Sequence, residues 1–230
     1  MTDSNVLLIT GASSGIGAAT ARHAVDAGWR VALAARSEDK LAGLASDLGG
    51  EEVAAAIRCD VTSWDDQQAA VATAIERFGR LDAFLANAGF GAARGFQEES
   101  VEHWKSMIDT NVYGAALSIR AALGPFREQG SGHMLLMGSV AGRRAIPGSL
   151  YSATKWAVTA MGESLRAEVA DTAIKTTVIE PGMVDTPFFE NRPTGALEAD
   201  DIARAVIYAL TQPPHVDVNE VLVRPVNQPS

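Results

Sequence analysis

The chain has 230 residues, of which 47% are apolar and one is a cysteine, and its formal net charge is −9. This length suits one domain, the acidic balance argues against a protein that grips nucleic-acid backbones, and a lone cysteine excludes an internal disulfide and a thiolate zinc cluster. No basic flank precedes the first apolar residues and no apolar run approaches the roughly 20 residues of a membrane span, so we expect a cytoplasmic chain without signal peptide or membrane contact.

Short apolar runs of the β type alternate with longer helical patterns. The runs are rich in Val, Ile, Leu and Ala, which is typical of strands buried on both faces. We predict strands over Val6 to Thr10, Arg30 to Ala34, Val53 to Cys59, Ala83 to Ala86, His133 to Gly138, Lys175 to Ile179 and Val221 to Val223. We predict helices over Ile16 to Ala27, Glu38 to Leu48, Asp65 to Phe78, Val101 to Arg127, Tyr151 to Val169 and Asp200 to Leu210. The alternation indicates an α/β fold whose parallel sheet carries helices on both faces and binds ligands at the carboxyl ends of its strands.

A glycine-rich turn joins the first predicted strand to the first predicted helix. It reads Gly11-Ala12-Ser13-Ser14-Gly15-Ile16-Gly17. Glycines at this position let the backbone approach a pyrophosphate, whose charge the helix N-terminus stabilises, and the two serines can add hydroxyl donors. A flexible turn without a ligand is the alternative, and three glycines at this junction disfavour it.

The end of the second predicted strand favours NADP over NAD. NAD-binding chains usually place an acid here, which accepts a hydrogen bond from the ribose 2′-hydroxyl. This chain has Ala35 at that position and Arg36 after it, and a guanidinium can bind the 2′-phosphate of NADP in a bidentate way. Asp60-Val61 and Asn87-Ala88-Gly89 follow the third and fourth strands, where an acid can bind the adenine and a small turn leaves room for a ribose.

Tyr151 and Lys155 lie four residues apart on a predicted helix and therefore share one face. A free tyrosine has a pKa of about 10, and a nearby ammonium lowers that pKa toward the range useful for acid–base catalysis. Ser139 follows the fifth predicted strand, where its hydroxyl can donate to a substrate oxygen. A lone Tyr-x-x-x-Lys is more typical of a surface helix, so the pair gains its meaning from the other motifs.

Several motifs, taken together and in this order, resemble those of the short-chain dehydrogenase/reductase family. They are Thr10-Gly-x-x-x-Gly-x-Gly17, Asn87-Ala-Gly89, Asn111, Ser139, Tyr151-x-x-x-Lys155 and Pro181-Gly182. The resemblance implies a Rossmann-like, doubly wound three-layer sandwich with a mostly seven-stranded parallel sheet. It implies one catalytic domain over residues 1–230, with the cofactor half at about 1–115 and the catalytic and substrate half at about 116–230. It also implies NADP(H)-dependent hydride transfer to a carbonyl, or from an alcohol, of a small molecule.

The resemblance assigns a role to each matching residue. Tyr151 would exchange a proton with the substrate oxygen, Lys155 would lower the tyrosine pKa and bind the nicotinamide ribose, and Ser139 would hold the substrate oxygen. Asn111 would help to hold a water that links Lys155 to solvent, and Asn87 would lie near the cofactor ribose. The nicotinamide carboxamide would meet Pro181, Gly182, Val184 and Thr186.

Two features depart from the family pattern. Ala86 stands where many members have the first Asn of an Asn-Asn-Ala-Gly turn, a position that supports the sheet. Ser139 and Tyr151 are 12 positions apart (151 − 139), one fewer than in many members, which would reshape the rim of the substrate pocket.

The substrate side is the least specified part of the sequence. The segment Pro187 to Gly195 is short for the loop that closes over the substrate in this family. We predict an apolar pocket wall formed by Phe90, Leu150, Met183, Phe188 and Phe189. The run from His215 to Pro225 is similar to that of NADP-dependent members that oxidise 3-hydroxy acids such as serine, so a serine-type dehydrogenase stays an alternative.

The sequence leaves alternatives for the class of function, and it gives expectations for metal binding and assembly. A non-catalytic NADP-binding regulator is an alternative, which the presence of both Tyr151 and Lys155 disfavours. Epimerase and dehydratase relatives usually need a larger C-terminal domain than this chain provides. The four histidines lack metal-ligand spacing, so we expect no metal. The resemblance implies a homodimer or homotetramer, assembled through the two longest predicted helices.

Overall fold

The computed structural model describes residues 4–189 and 193–228. Its strands are β1 (Val6–Thr10), β2 (Arg30–Ala35), β3 (Ala54–Arg58), β4 (Ala83–Ala86), β5 (Gly132–Met137), β6 (Ile174–Pro181), β7 (Val184–Asp185), β8 (Leu197–Glu198) and β9 (Glu220–Val223). Its α-helices are α1 (Gly15–Asp26), α2 (Glu38–Asp47), α3 (Trp64–Phe78), α4 (Val101–Ile108), α5 (Gly114–Gln129), α6 (Leu150–Glu168) and α7 (Ala199–Leu210).

One seven-stranded sheet organises the molecule, with the strand order β3-β2-β1-β4-β5-β6-β9 and parallel pairing throughout. Helices pack on both faces, so the predicted Rossmann-like α/β fold is confirmed. The predicted strands match the observed bounds to within two residues. The order reverses between β1 and β4, the position at which open sheets of this kind bind their ligands.

The sheet is buried on both faces, and its side chains alternate between two hydrophobic clusters. Leu8 and Phe84 belong to the cluster that includes Phe126 of α5, whereas Leu7 and Leu85 belong to the cluster on the opposite face. All five residues of β1 are buried, which explains why its sequence is apolar without alternation. The rigid sheet thus holds the loops at its carboxyl edge in fixed positions.

The long helix that we predicted over Val101 to Arg127 is interrupted. A π-helical turn, Asp109–Tyr113, separates α4 from α5. Such a turn inserts one extra residue into the helical hydrogen-bond ladder and often marks a functional site. Here it directs the buried Asn111 toward the loop after β4. A prediction from periodicity alone could not locate this turn.

The region after β6 also differs from expectation. β7 and β8 pair in parallel as a small two-stranded sheet, which the sequence did not predict. Of the short substrate-closing segment that we predicted, Pro187 to Gly195, residues 190–192 lie outside the part of the chain that the structure describes. A 3₁₀ turn, Val140–Gly142, directly follows Ser139. None of the described helices is long and apolar enough to span a membrane.

Candidate active site

A large cavity of about 960 Å³ opens at the carboxyl edge of the sheet. Residues from the loops after β1 to β6 line it, together with the start of α6. All the site residues that we predicted line this cavity except Gly17, Asn111 and Leu150. The fold therefore brings residues from positions 11 to 189 to one space.

The glycine turn after β1 has a backbone that other residues could hardly adopt. Gly11 and Gly15 have φ angles of +66° and +52°, in the left-handed region that glycine favours. A Cβ on Gly17 would lie 2.5 Å from the Gly11 carbonyl oxygen, so α1 can approach the turn this closely only with glycine there. The Ser14 side chain does not cap α1, which leaves the first amides of the helix directed at the cavity. This geometry fits a pyrophosphate.

Thr10 and Asn87 hold the glycine turn in place. The Thr10 hydroxyl accepts hydrogen bonds from the backbone nitrogens of Asn87 (3.1 Å) and Ala88 (3.3 Å). The Asn87 Nδ2 donates to the Thr10 carbonyl at 2.9 Å, so this amide is already engaged while its residue lines the cavity. Thr10 thus links β1 to β4, a role that its place in the sequence motif did not indicate.

The adenine end of the cavity combines a cation with an ionised acid. Arg36 is exposed and lines the cavity, while the neighbouring Arg58 is paired with Glu38 and Asp66, each at 3.5 Å. Hydrogen bonds from the backbone nitrogen (2.9 Å) and hydroxyl (2.7 Å) of Thr62 lower the pKa of Asp60, and the charge of Arg36 lowers it further. Asp60 is thus a fixed acceptor beside a cation that has no ion-pair partner in the described part of the chain.

At the other end, Tyr151 stands in the first turn of α6. The Ser149 hydroxyl caps this helix by accepting from the Ser152 backbone nitrogen at 3.3 Å. The Tyr151 and Ser139 side chains line the same end of the cavity. Burial raises the pKa of Tyr151 to about 12, and the neighbouring Ser139 side chain opposes this rise.

The expectation that Lys155 lowers the pKa of Tyr151 is wrong for this structure. The Lys155 Nζ lies 5.6 Å from the centre of the Tyr151 ring, and it donates to the Met137 carbonyl at 2.7 Å. Burial lowers the pKa of Lys155 to about 8. Burial is thus the main cause of both shifts, and each group shifts toward its neutral form.

Asn111 lies behind this pair and connects three elements. Its Oδ1 accepts from the Phe90 backbone nitrogen (3.0 Å), and its Nδ2 donates to the Phe90 carbonyl (2.9 Å) and to the Thr154 hydroxyl on α6 (3.2 Å). A Cβ on Gly89 would lie 3.0 Å from the Asn111 Oδ1 and 3.8 Å from the Lys155 Nζ. Gly89 thus packs closely against Asn111, and a side chain at this position would require Asn111 to shift. The water-holding role that we expected for Asn111 stays a prediction.

Ser139 is placed by the 3₁₀ turn that follows it. Its Oγ accepts from the Ala141 backbone nitrogen at 3.1 Å and donates to the Pro181 carbonyl at 3.4 Å. A Cβ on Gly142 would lie 2.7 Å from the Lys155 carbonyl oxygen, so the turn packs directly against α6. The loop that carries Ser139 is therefore fixed to both α6 and β6.

A buried ion pair, which the sequence did not indicate, lies behind this loop. Glu180 is 1% exposed, and both of its carboxylate oxygens lie 2.8 Å from the Arg143 Nε. The Thr159 hydroxyl lies 3.3 Å from one Glu180 oxygen and 3.2 Å from the Lys155 carbonyl. Arg143 also pairs with Glu220 of β9. An acid inside an apolar strand gave no signal of its partner 37 positions away.

Aromatic side chains cover the catalytic end. The ring of Phe188 lies 5.6 Å from that of Tyr151 and 5.1 Å from that of Phe189, centre to centre, with edge-to-face geometry. A Cβ on Gly91 would lie 2.9 Å from the Phe188 ring, so the absence of a side chain at Gly91 leaves room for that ring. Leu150, the first residue of α6, is not among the residues that line the cavity, so its predicted place in the pocket wall is wrong.

The described residues contain no group of three or more His, Cys, Asp or Glu side chains that could hold a metal ion. Cys59 is a free thiol at the end of β3, and burial raises its pKa to about 12. Such a thiol is inert at neutral pH.

Residues 5–196 match the family model described as short chain dehydrogenase. A protein of Staphylococcus haemolyticus, named an uncharacterized oxidoreductase, is 47% identical, covering 98% of this chain and 100% of its own. The chain belongs to the short chain dehydrogenase family of oxidoreductases.

Two solved structures are similar over nearly their full lengths. An alcohol dehydrogenase from the archaeon Thermococcus sibiricus, complexed with 5-hydroxy-NADP, is 33% identical with a TM-score of 0.90, covering 99% of each chain. The closed form of serine dehydrogenase, complexed with NADP+, is 30% identical with a TM-score of 0.90, covering 98% of this chain and 96% of its own.

Proposed function

We propose that this chain is an NADP-dependent oxidoreductase that transfers a hydride between the nicotinamide and the carbonyl or secondary alcohol carbon of a small molecule. The observation that carries the proposal is that Tyr151, Ser139 and the buried Lys155 line the same cavity as the glycine turn. A proton donor and a pyrophosphate-binding turn in one cavity suit this reaction.

The chain's own residues account for the proton and the substrate oxygen. Because its pKa is about 12, Tyr151 is protonated at neutral pH and can donate its proton to the carbonyl oxygen during reduction. In the reverse direction the same oxygen accepts the hydroxyl proton, which requires that Tyr151 first lose its own proton to solvent. Ser139 holds the same oxygen by a hydrogen bond, and Lys155 binds the ribose next to the nicotinamide. When bound, the cofactor supplies or accepts the hydride.

The preference for NADP rests on the end of β2. Ala35 provides no carboxylate to repel a 2′-phosphate. Arg36 is exposed beside the cavity, and no carboxylate oxygen of the described residues forms an ion pair with it at 4 Å or less. The alcohol dehydrogenase and the serine dehydrogenase were solved with NADP-type cofactors, which agrees with this assignment.

A 3-hydroxy acid dehydrogenase is the second candidate within the same chemistry. The similarity to serine dehydrogenase favours it, with a TM-score of 0.90 over 98% of this chain. A cofactor-binding regulator without turnover is disfavoured, because Tyr151, Lys155 and Ser139 all lie around one cavity.

The test is NADPH oxidation, followed by absorbance, with a panel of ketones and aldehydes, together with NADP+ reduction by 3-hydroxy acids. Tyr151→Phe should lower kcat by on the order of 10²–10⁴-fold, the typical contribution of a general acid. Tyr208→Phe is the matched control, because Tyr208 is exposed on α7. Wild-type turnover that survives in Tyr151→Phe would overturn the assigned proton donor.

We also propose a homo-oligomer whose contact includes α4, α5 and α6. Three apolar side chains on or between these helices are largely exposed: Val101 (67%), Tyr113 (53%) and Trp156 (47%). Large exposed apolar residues that cluster on helices favour a protein contact. Light scattering should give a mass of two or four chains, and a single-chain mass at micromolar concentration would contradict the proposal.

A further inference from the structure

The cavity is basic although the chain is acidic. Six cationic residues and one acid stand among the described residues that line it: Arg36, Arg94, Arg143, Arg144, Lys155 and Arg224, with Asp60. The single acid follows β3, at the adenine end. In a chain of net charge −9, a cavity lined in this way favours anions.

Most of these cations already have a function or a partner. Arg36 stands at the adenine end, and Lys155 donates to the Met137 carbonyl at 2.7 Å. Arg143 is paired with the buried Glu180 and with Glu220. Arg144 is also engaged within the chain. The glycine turn, the N-terminus of α1 and Arg36 together account for the phosphates of the cofactor. Two lining cations remain, Arg94 and Arg224, and neither forms an ion pair with a residue that the structure describes.

Of these two, Arg94 stands on the loop that is attached to the segment before α6, whereas Arg224 directly follows β9 at the edge of the sheet. Arg94 is exposed on the loop after β4, lines the cavity, and forms no ion pair with any residue that the structure describes. Its loop is attached to the segment before α6, because the Gly95 backbone nitrogen donates to the Gly148 carbonyl at 2.8 Å.

The attachment is close enough to place Arg94 near the catalytic tyrosine. A Cβ on Gly148 would lie 3.9 Å from the Arg94 carbonyl carbon. Gly148 precedes Tyr151 by three residues, which span no more than about 11 Å of chain. The Arg94 backbone therefore lies near the start of α6, and Arg94 and Tyr151 line the same cavity.

We propose that Arg94 binds a carboxylate on the substrate, so that the preferred substrates are short oxo acids and the corresponding hydroxy acids. This inference rests on the proposed function, since it concerns the substrate of the same site. A guanidinium binds a carboxylate through two parallel charge-assisted hydrogen bonds, which orient the substrate as well as hold it. Phe188, packed edge-on against Tyr151, provides the apolar surface for the carbon chain between the two groups.

The experiment compares a 3-oxo acid with its methyl ester, which has the same carbonyl but no charge. The readout is the ratio of kcat/KM for the acid to kcat/KM for the ester, measured with saturating NADPH. In the wild type this ratio should exceed one. Arg94→Gln should lower the ratio by about 10- to 100-fold, since hydrogen bonds to charged groups are lost. Arg22→Gln is the matched control, because Arg22 is an exposed arginine on α1 outside the cavity.

The other possible results distinguish a failure of the carboxylate site from a failure of the proposed function. A wild type that prefers the ester, or a ratio that is the same in Arg94→Gln, overturns the carboxylate site and leaves the proposed function standing. If the acid-to-ester ratio falls further in Arg224→Gln than in Arg94→Gln, the carboxylate binds Arg224, and the inference is overturned. A ten-fold weaker Kd for NADPH in Arg94→Gln places Arg94 on the cofactor instead. Absence of turnover with every carbonyl and alcohol tested refutes the proposed function itself.

Discussion

Arg143 donates from Nε to the carboxylate of Glu180, 2.8 Å from each oxygen, at a position where the carboxylate is 1% exposed. The pair joins the loop that carries Ser139 to the strand that ends in Pro181. Through the Thr159 hydroxyl the same carboxylate is connected to the backbone of Lys155. Two of the three groups assigned to the chemistry thus share one buried support.

Glu180→Gln should therefore impair both stability and turnover. The variant keeps the shape and one acceptor but removes the negative charge from a buried pair. Because Arg143 is one-third exposed and keeps its contact with Glu220, we expect a loss of about 1–3 kcal/mol, below the usual cost of a fully buried unpaired charge. Urea unfolding measures this loss.

The kinetic part of this prediction separates a positioning role from a merely structural one. If the pair positions Ser139 and Lys155, kcat should fall several-fold under conditions where the variant is fully folded, while KM for NADPH changes less. The control is Glu163→Gln, which removes an exposed partner of Arg166 on α6 and should change the free energy of unfolding by less than about 0.5 kcal/mol. An unchanged kcat in folded Glu180→Gln would limit the pair to stability.

Arg36→Ala should change cofactor preference. The guanidinium is assigned to the 2′-phosphate, which NADPH has and NADH lacks, so KM for NADPH should rise by about 10- to 100-fold while KM for NADH changes little. Arg58→Ala is the matched control, because Arg58 is a nearby exposed arginine already paired with Glu38 and Asp66. Equal effects of Arg36→Ala on both cofactors would contradict the assignment.

The sequence allowed the fold and most of the cavity lining to be predicted because these depend on local pattern. Apolar runs located the strands, and the residues after each strand necessarily meet at the carboxyl edge of a parallel sheet. The turn at Gly11 and Gly17 could be predicted from the sequence because only glycine permits the close approach of the backbone there.

What the sequence did not reveal depends on contacts between distant positions. The partner of Glu180 is 37 residues away and the Thr10–Asn87 bonds span 77. The π turn at Asn111 follows from the hydrogen bonds of that side chain to Phe90, which periodicity does not encode. The pKa of Tyr151 was predicted in the wrong direction, because spacing on a helix specifies the neighbour but not the loss of hydration.

The pKa values of Tyr151 and Lys155 predict the pH dependence of reduction. Tyr151, with a pKa of about 12, keeps its proton across the accessible range. Lys155, with a pKa of about 8, is charged below that pH and becomes neutral above it. Since kcat/KM reports the free enzyme, kcat/KM for NADPH should be constant below about pH 7 and fall by up to about ten-fold per unit above pH 8.

Lys155→Arg tests the origin of this decline. A guanidinium stays charged at all accessible pH values, so the variant, at whatever lower activity it has, should lose the break near pH 8. A break that persists near pH 8 in Lys155→Arg would assign the titration to another group.

His133 predicts how the fold responds to acid. The ring is buried in β5 and donates from Nε2 to the Thr177 hydroxyl at 2.7 Å, because that hydroxyl itself donates to the Val218 carbonyl at 2.6 Å. Burial, with a smaller contribution from the charge of Lys175, lowers the pKa of His133 to about 3. In the unfolded chain a histidine has a pKa of about 6.5.

The unfolded state therefore binds more protons between these two pKa values, and stability must fall as the pH decreases through this window. From pH 7 to pH 5, His133 should account for a loss of about 2 kcal/mol in the free energy of unfolding. His133→Gln keeps a donor for Thr177 but cannot titrate, so its own loss over this interval should be smaller than that of the wild type by about this amount. His215→Gln, at an exposed position, should follow the wild type. Urea unfolding at pH 7 and pH 5 measures all three, and parallel losses in wild type and His133→Gln would show that His133 is protonated in the native state.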